Sequence, residues 1–142
     1  MSLHLIDHLT DEQILDLDHL YQAEWWTRGR QLPDIRKMLE NTDVLAAFCD
    51  SDSQRLIAFA RVITDYTYKA LILDVIVDAS YRGKNLGRAL MDAIVAHPRL
   101  KSVKHFELYC LPELVSFYKK WGFTDELGEL RFMRRVKPVQ AP

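Results

Sequence analysis

The stretch LILDVIVDASYRGKNLGRALM, residues 71–91, decides the fold of this chain. Its apolar first part is typical of a buried strand, and its last part has apolar residues at helical spacing. Gly83, Gly87 and Asn85 tolerate the backbone of the tight turn that must join the two. A helix that begins near Asn85 leaves its first N–H groups unpaired at the positive end of the helix dipole. Because three cations accompany these groups, we predict a pyrophosphate site; the cations are Arg82, Lys84 and Arg88.

Periodicity and turn residues predict the elements on either side of this stretch. Thr10 and Gln13 form a capping-box pattern at the start of one helix, and Pro33 suits the first turn of another. A third helix is predicted at residues 85–96 and a short fourth one at residues 112–121. Strands are predicted at residues 3–6, 44–49, 56–63, 70–77, 103–109 and 130–136. The order β-α-α-β-β-β-α-β-α-β indicates an α/β arrangement with a mixed sheet, in a single domain over residues 1–142.

The net charge of −1 is unevenly distributed, because residues 1–80 carry 7 basic and 14 acidic side chains while residues 81–142 carry 12 and 6. Either the basic half binds an anionic cofactor or the charges scatter over solvated faces. No dense basic run has interleaved aromatics, so we expect no nucleic acid partner. No leader and no membrane-length apolar run is evident, so we expect no membrane partner. Cys49 and Cys110 lie in apolar, strand-like stretches where free cysteines are usually buried, which favours a reduced, cytoplasmic protein.

Two motifs resemble those of the GNAT superfamily of acetyl-CoA-dependent N-acetyltransferases. Motif A reads Arg or Gln, two residues, Gly, any residue, then Gly or Ala; Arg82 and Gly87 match its ends, and Asn85 replaces the first glycine. The stretch LYCLPELVSFYKKWGF at residues 108–123 is similar to motif B, which ends in Phe-Tyr and then Gly-Phe. The resemblance implies an α+β-type fold with a mixed, mostly antiparallel sheet of about six to seven strands, a splayed parallel strand pair and about four helices.

The resemblance also implies where acetyl-CoA binds. The cofactor would lie between the splayed parallel strands that hold residues 75–77 and residues 106–110, and unpaired backbone groups of these strands would bond its pantetheine arm. Tyr118 matches the tyrosine that the family often uses as general acid, and a phenol with a pKa near 10 holds its proton at neutral pH. The expected cofactor-binding residues are Val75, Ile76, Val77, Arg82, Gly83, Lys84, Asn85, Leu86, Gly87 and Arg88.

The general base and the acceptor site are left open by the residues. Asp74 and Glu24 are candidate bases, with Glu24 also a candidate substrate contact, although a water chain could carry the proton instead; His105 and Glu107 are weaker candidates. Trp25 is expected to continue the buried stripe of the first helix, which leaves Trp26 to line the acceptor pocket or to pack under the loop at Gly29. Trp26 beside Glu24 would suit a cationic amine.

We therefore expect an enzyme, an N-acetyltransferase that moves an acetyl group from acetyl-CoA to a primary amine of a small molecule or peptide by direct attack on the thioester. The alternative is a non-catalytic CoA-binding or acyl-CoA-binding module or sensor. A dinucleotide oxidoreductase, a metal-dependent hydrolase and a serine hydrolase are unsupported, because Gly-x-Gly-x-x-Gly, His-Glu-x-x-His and Gly-x-Ser-x-Gly do not occur, and no metal is expected. An exposed strand edge near residues 130–136 would allow a homodimer.

Overall fold

A computed structural model describes residues 2–138. The chain divides into two compact units, Met1–Tyr109 and Cys110–Pro142. The first unit holds a five-stranded sheet with the strands in chain order. These strands are β1 (Leu3–Ile6), β2 (Val44–Asp50), β3 (Leu56–Thr64), β4 (Lys69–Val77) and β5 (His105–Glu107). Three neighbouring pairs are antiparallel and the β4–β5 pair is parallel, which confirms a mixed, mostly antiparallel sheet.

Three helices complete the first unit: α1 (Asp11–Gln22), α2 (Leu32–Glu40) and α3 (Leu86–Val95). Thr10 caps α1 in the predicted manner, since its hydroxyl accepts from the Gln13 N–H and the Gln13 side chain accepts from the Thr10 N–H. Pro33 lies in the first turn of α2, where a missing N–H costs nothing. These local signals therefore predicted the helix starts correctly.

The core packs α1 and α2 on one face of the sheet, and α3 packs against β2, β3 and β4. Leu90, Met91 and Ile94 of α3 are fully buried. One buried cluster joins α1 and α2 to the sheet, and its members are Leu17, Leu20, Tyr21, Ile35, Ala47, Leu56, Phe59 and Ile76. Burial of this apolar surface is the main force that holds the two helices over the strands.

The predictions for Trp25 and Cys110 were wrong. Helix α1 ends at Gln22, so Trp25 lies in the following turns and is 69% exposed, more than Trp26 at 40%. Helical spacing no longer applies once the helix has ended, which is why Trp25 leaves the buried stripe. Cys49 is buried as expected, but Cys110 is exposed because β5 ends at Glu107, three residues before it.

The second unit holds a short helical segment: a 3₁₀ turn at Pro112–Leu114, helix α4 (Val115–Tyr118) and a 3₁₀ turn at Lys119–Trp121. Gly122 ends it in the left-handed conformation, with φ 86°. The strand expected at residues 130–136 is absent from the described part of the chain. Its apolar side chains bury no face and are exposed; they are Leu130, Phe132, Met133 and Val136. The described residues therefore form five strands rather than six or seven.

Candidate active site

The turn after β4 presents backbone donors that the protein does not use. A 3₁₀ turn at Ala79–Tyr81 leads into Gly83 (φ 82°) and Asn85 (φ 62°), both left-handed, and α3 begins at Leu86. The Asn85 side chain does not cap the helix, and the Ala89 N–H is the first in α3 to bond, to the Asn85 carbonyl at 3.0 Å. Within residues 2–138, no hydrogen bond uses the N–H groups of residues 83–88. These donors fit an anion, as the sequence predicts.

The three cations of the turn differ in their surroundings. Arg88 is exposed and has no partner among residues 2–138, so it is available to an anionic ligand. Lys84 lies with its Nζ 5.2 Å from the centroid of the Tyr81 ring. Arg82 pairs through its Nη2 with the Glu24 carboxylate, which ties the α1–α2 connection to the turn. The charge of Arg82 is thus partly compensated, while the charge of Arg88 is not.

The C-terminal part of β4 has no partner in β5. The parallel pairing covers only Lys69, Ala70 and Leu71, which face His105, Phe106 and Glu107. From Ile72 to Val77, β4 pairs only with β3. On the β5 side, Val75, Ile76 and Val77 therefore lack ladder partners. Such a divergence between neighbouring strands leaves backbone groups for an extended ligand.

A β-bulge interrupts the middle of β4. Phe59 of β3 faces Ile76 while Arg61 faces Leu73, so β4 carries one extra residue between these pairs. Asp74 lies in this segment with φ 56°, an uncommon backbone conformation for a residue other than glycine. The bulge aims the Asp74 side chain at α1, where it meets Tyr21.

The Asp74 carboxylate is buried and accepts hydrogen bonds from three side chains. Its Oδ2 accepts from Arg61 Nε at 2.7 Å, Arg30 Nη1 at 2.8 Å and the Tyr21 hydroxyl at 2.9 Å. Burial alone would raise the pKa of Asp74, but hydrogen bonds and charge from the two arginines hold it below its ordinary value. Burial and the adjacent carboxylate raise the pKa of the Tyr21 phenol.

The residues predicted as candidates for the general base lie in different surroundings. Asp74 is buried, its Oδ2 accepts from three donors and its Oδ1 accepts from Arg30 Nη2 at 3.4 Å, so the geometry favours a structural role, and its role as base stays a prediction. Glu24 is bound to Arg82 and keeps a partly exposed carboxylate. Glu107 is exposed and pairs with Lys69 at 3.1 Å. His105 is exposed in β5.

The sequence reasoning missed Tyr21, Arg30 and Arg61 as polar partners of Asp74. The ring of Tyr21 belongs to the apolar face of α1, but its hydroxyl donates to Asp74. Arg61 carried a signal, because it is a cation within the otherwise apolar strand LIAFARVIT. A charge in a buried strand needs a partner, and Asp74 is the corresponding anion within β4.

Tyr118 lies in the second unit, at the end of α4, and is buried. Its ring makes edge contacts with Phe117 and Phe123, with centroid distances of 5.0 and 6.3 Å. Burial, together with the nearby Cys110 thiol, raises the pKa of Tyr118 to about 12. Its hydroxyl has no hydrogen-bond partner within residues 2–138, so both its proton and its lone pairs are unengaged there.

A family model described as the acetyltransferase (GNAT) family matches residues 7–123. The chain belongs to the GNAT family. The unused donors at the start of α3 and the parallel strand pair are thus features of a GNAT protein, and the resemblance seen in the two motifs is confirmed.

Two plant proteins and one bacterial structure are similar to this GNAT chain. Serotonin N-acetyltransferase 2, chloroplastic, of Oryza sativa subsp. japonica is 36% identical over 116 residues, covering 78% of this chain and 58% of that protein. GCN5-related N-acetyltransferase 1, chloroplastic, of Arabidopsis thaliana is 31% identical over 130 residues, covering 91% and 66%. The crystal structure of a putative GNAT acetyltransferase from Xanthomonas campestris pv. campestris has a TM-score of 0.78 and 30% identity, covering 97% and 95%. The chain thus spans between half and two thirds of the length of the curated relatives it matches.

Among residues 2–138 of this GNAT chain, no helix has the length and apolar character needed to cross a membrane.

Proposed function

We propose that this protein transfers an acetyl group from acetyl-CoA to a primary amine of a small molecule or peptide. The observation that carries this proposal is the row of unused N–H groups at residues 83–88, at the start of a helix that follows the partly unpaired strand β4. Membership of the GNAT family and the N-acetyltransferase names of the plant relatives support it. Serotonin, named for the rice relative, is an amine, which supports an amine acceptor here.

Two different segments would bind the two parts of acetyl-CoA, the pyrophosphate and the pantetheine arm. The N–H groups of Gly83, Lys84, Asn85, Leu86, Gly87 and Arg88 would donate to the pyrophosphate, and the exposed Arg88 guanidinium would add charge. The backbone of Val75, Ile76 and Val77 would bond the amides of the pantetheine arm, because it has no partner in β5. An N–H of the same segment would donate to the thioester oxygen as negative charge develops there.

The chemistry needs a neutral amine and a proton for the departing sulfur. The amine nitrogen attacks the carbonyl carbon, the new C–N bond forms, the C–S bond breaks, and the sulfur leaves with the electron pair. We assign Tyr118 to donate a proton to this thiolate, because its raised pKa keeps the phenol protonated at neutral pH. The amine loses its own proton to water or to a carboxylate, for which Glu24 and Asp74 remain the candidates.

The proposed function also covers the acceptor pocket, the extent of the domain, the location and the oligomeric state. The exposed Trp26, on the segment that Glu24 ties to Arg82, is proposed to line the acceptor pocket. We also propose one acetyltransferase domain over residues 1–142, because the family match runs across both compact units. A cytoplasmic location and a homodimer stay predictions, and the two plant relatives are named as chloroplastic.

The N–H groups of residues 83–88, with the cations beside them, form the proposed phosphate cradle, and a thermal-shift titration with acetyl-CoA tests it first, with dephospho-CoA and NAD as controls. A ligand at about 100 times its dissociation constant adds roughly 2.7 kcal/mol to the free energy of unfolding. We expect a rise in Tm of several degrees with acetyl-CoA and none with NAD. Release of free CoA thiol on addition of amines then measures transfer. A shift without transfer to any amine would support the non-catalytic CoA-binding module instead, and no shift would count against the cradle.

Replacement of Tyr118 by Phe tests the proton donor. General acid catalysis contributes about 10²–10⁴ in rate, so we expect kcat to fall by at least about 10² while acetyl-CoA affinity stays nearly unchanged. Tyr68→Phe, at an exposed ring beside Lys104, is the control and should retain full turnover. Unchanged kcat in a folded Tyr118→Phe protein would remove Tyr118 from the mechanism.

A further inference from the structure

The cluster around Asp74 contains more positive than negative charge. Arg30 and Arg61 both bond the single Asp74 carboxylate, and the Tyr21 hydroxyl is a neutral third donor. The Asp74 side chain is only 4% exposed, and those of Arg61 and Arg30 are 12% and 33% exposed. One positive charge in this partly buried cluster therefore has no counter-charge, and such a charge is costly to hold away from water.

The guanidinium of Arg61 has hydrogen-bond donors that residues 2–138 do not use. Arg61 uses only its Nε, and its two terminal nitrogens have no hydrogen-bond partner within residues 2–138. No fully buried side-chain nitrogen or oxygen of those residues lacks a partner, so the Arg61 terminal nitrogens face accessible space although the side chain is mostly covered. A guanidinium held at one edge, with its terminal N–H groups free, is preorganised for a carboxylate or phosphate.

The cluster lies beside the part of β4 that lacks a β5 partner. The β3–β4 register places Arg61 opposite Leu73 and Ile63 opposite Leu71, so these four side chains share one face of the sheet. Ile63 is exposed, and Leu71 and Leu73 are half-buried, which makes an aliphatic floor next to the cationic group.

The segment that supplies Arg30 also borders the turn after β4. Arg30 follows Trp26 by four residues in the α1–α2 connection, and Glu24 of that connection bonds Arg82. The Glu24 charge is thereby compensated by Arg82. The surplus charge of the Asp74 cluster has no such compensation among residues 2–138.

We infer that the acceptor amine carries an oxyanion group, a carboxylate or a phosphate, which the free terminal nitrogens of Arg61 bind with Arg30 beside them. The inference rests on the proposed acetyltransferase function and names its substrate class. The bound oxyanion would complete an arrangement of two cations and two anions, and it would orient the amine along β4. Arg61 is therefore assigned as a specificity-determining residue, and Asp74 as the residue that fixes its orientation.

Matched acceptors test the inference in the wild-type protein. We would compare kcat/KM for amino acids against their amides, and for O-phosphoethanolamine against ethanolamine, at fixed acetyl-CoA. We expect the anionic member of at least one series to be preferred by about tenfold or more, which corresponds to ~1.4 kcal/mol. The amino acid series reports a carboxylate and the phosphoethanolamine pair reports a phosphate.

An Arg61→Lys variant tests the residue itself. Lysine keeps a cation for Asp74 but lacks the planar pair of terminal nitrogens, so we expect KM for the preferred anionic acceptor to rise by about tenfold or more, with kcat and acetyl-CoA affinity little changed. Arg55→Lys is the matched control, because Arg55 is an exposed partner of Asp78. A thermal melt of each variant with acetyl-CoA establishes folding.

The outcomes separate the inference from the function on which it rests. Equal kcat/KM for anionic and uncharged acceptors in the wild-type protein would overturn the oxyanion assignment and leave the acetyltransferase function standing. An anionic preference that survives Arg61→Lys would overturn the role of Arg61. Absence of transfer to every amine, charged or not, would count against the proposed function itself.

Discussion

Two polar regions of the first unit differ in how far their hydrogen-bonding groups are used within the protein. In the middle of β4, the Asp74 carboxylate accepts from Tyr21, Arg30 and Arg61. In the turn after β4, the N–H groups of residues 83–88 donate to nothing within residues 2–138. A buried group that accepts from several elements holds them together, whereas unused donors at a helix start are available to a ligand. We therefore expect changes at Asp74 to affect folding, and changes in the turn to affect binding.

The largest effect is expected from Asp74→Asn. The substitution leaves two mostly covered guanidinium groups without their anion, and loss of one partner from a buried ion pair costs about 3–5 kcal/mol. The free energy of unfolding, measured with urea, should fall by that amount. Glu107→Gln is the control, because its ion pair with Lys69 is exposed on both sides and should contribute less than about 1 kcal/mol. Equal losses of unfolding free energy in the two variants would show that the buried ion pair is no more stabilising than the exposed one.

The same contribution should depend on pH. The folded-state pKa of Asp74 is lower than its unfolded value, so its stabilising effect is fully present above the unfolded pKa of about 3.9 and is lost as pH falls through the folded pKa. The difference in unfolding free energy between wild type and Asp74→Asn should therefore be constant from about pH 7 to 5 and shrink below about pH 4. A difference that stayed constant down to pH 2 would show that the charge of Asp74 is unimportant for the fold.

In the turn, Gly87→Val should act on binding alone. Val crowds the approach to the N–H groups of the first helical turn, and we expect acetyl-CoA to bind at least about thirtyfold more weakly, ~2 kcal/mol. Stability should change by less than about 1 kcal/mol, because Gly and Val differ little in helix propensity. Ala89→Val is the matched control, since the Ala89 N–H is already bonded to Asn85. Isothermal titration with acetyl-CoA measures the affinity of both variants. Wild-type affinity in a folded Gly87→Val protein would disprove the cradle.

The smallest effect is expected at Asn85. Two substitutions there separate the effect of the left-handed backbone from the effect of the amide side chain. Asn85 has φ 62° and its side chain does not cap α3, so Asn85→Gly should keep both stability and acetyl-CoA affinity. Asn85→Val should cost about 1–2 kcal/mol of stability, because a β-branched residue is disfavoured in the left-handed region. Paired thermal melts and titrations check this; a binding loss in Asn85→Gly would instead assign the amide a direct contact with the ligand.

Local signals predicted much of the fold because their causes lie within a few residues. The capping box at Thr10, the left-handed Asn85 and the left-handed Gly122 follow from short-range backbone preferences, and each is present. Signals that needed a partner were less reliable. In the part of the chain that the structure describes, the strand at residues 130–136 is absent and β5 is shorter than predicted, because a strand forms only where a neighbour and a core receive it.

The candidate site shows the same division. Motif A identified the donors of the turn, since a strand, a left-handed turn and a helix start lie within one short stretch of sequence. The positions of Trp25 and Trp26 were not readable, because α1 ends at Gln22 and helical spacing no longer applies beyond it. Of the partners of Asp74, Arg61 carried a signal as a cation in an otherwise apolar strand, but no local pattern indicated Tyr21 or Arg30.

The sequence by itself determined the strand, turn and helix at residues 71–91 and, together with the motif at residues 108–123, the family; the phosphate site in that turn stays a prediction. Only the tertiary structure decided that Asp74 is held by Tyr21, Arg30 and Arg61, which lie 53, 44 and 13 residues away along the chain. Backbone conformation is set by neighbours in sequence, whereas the partners of a buried charge are chosen by how helices and strands pack around it.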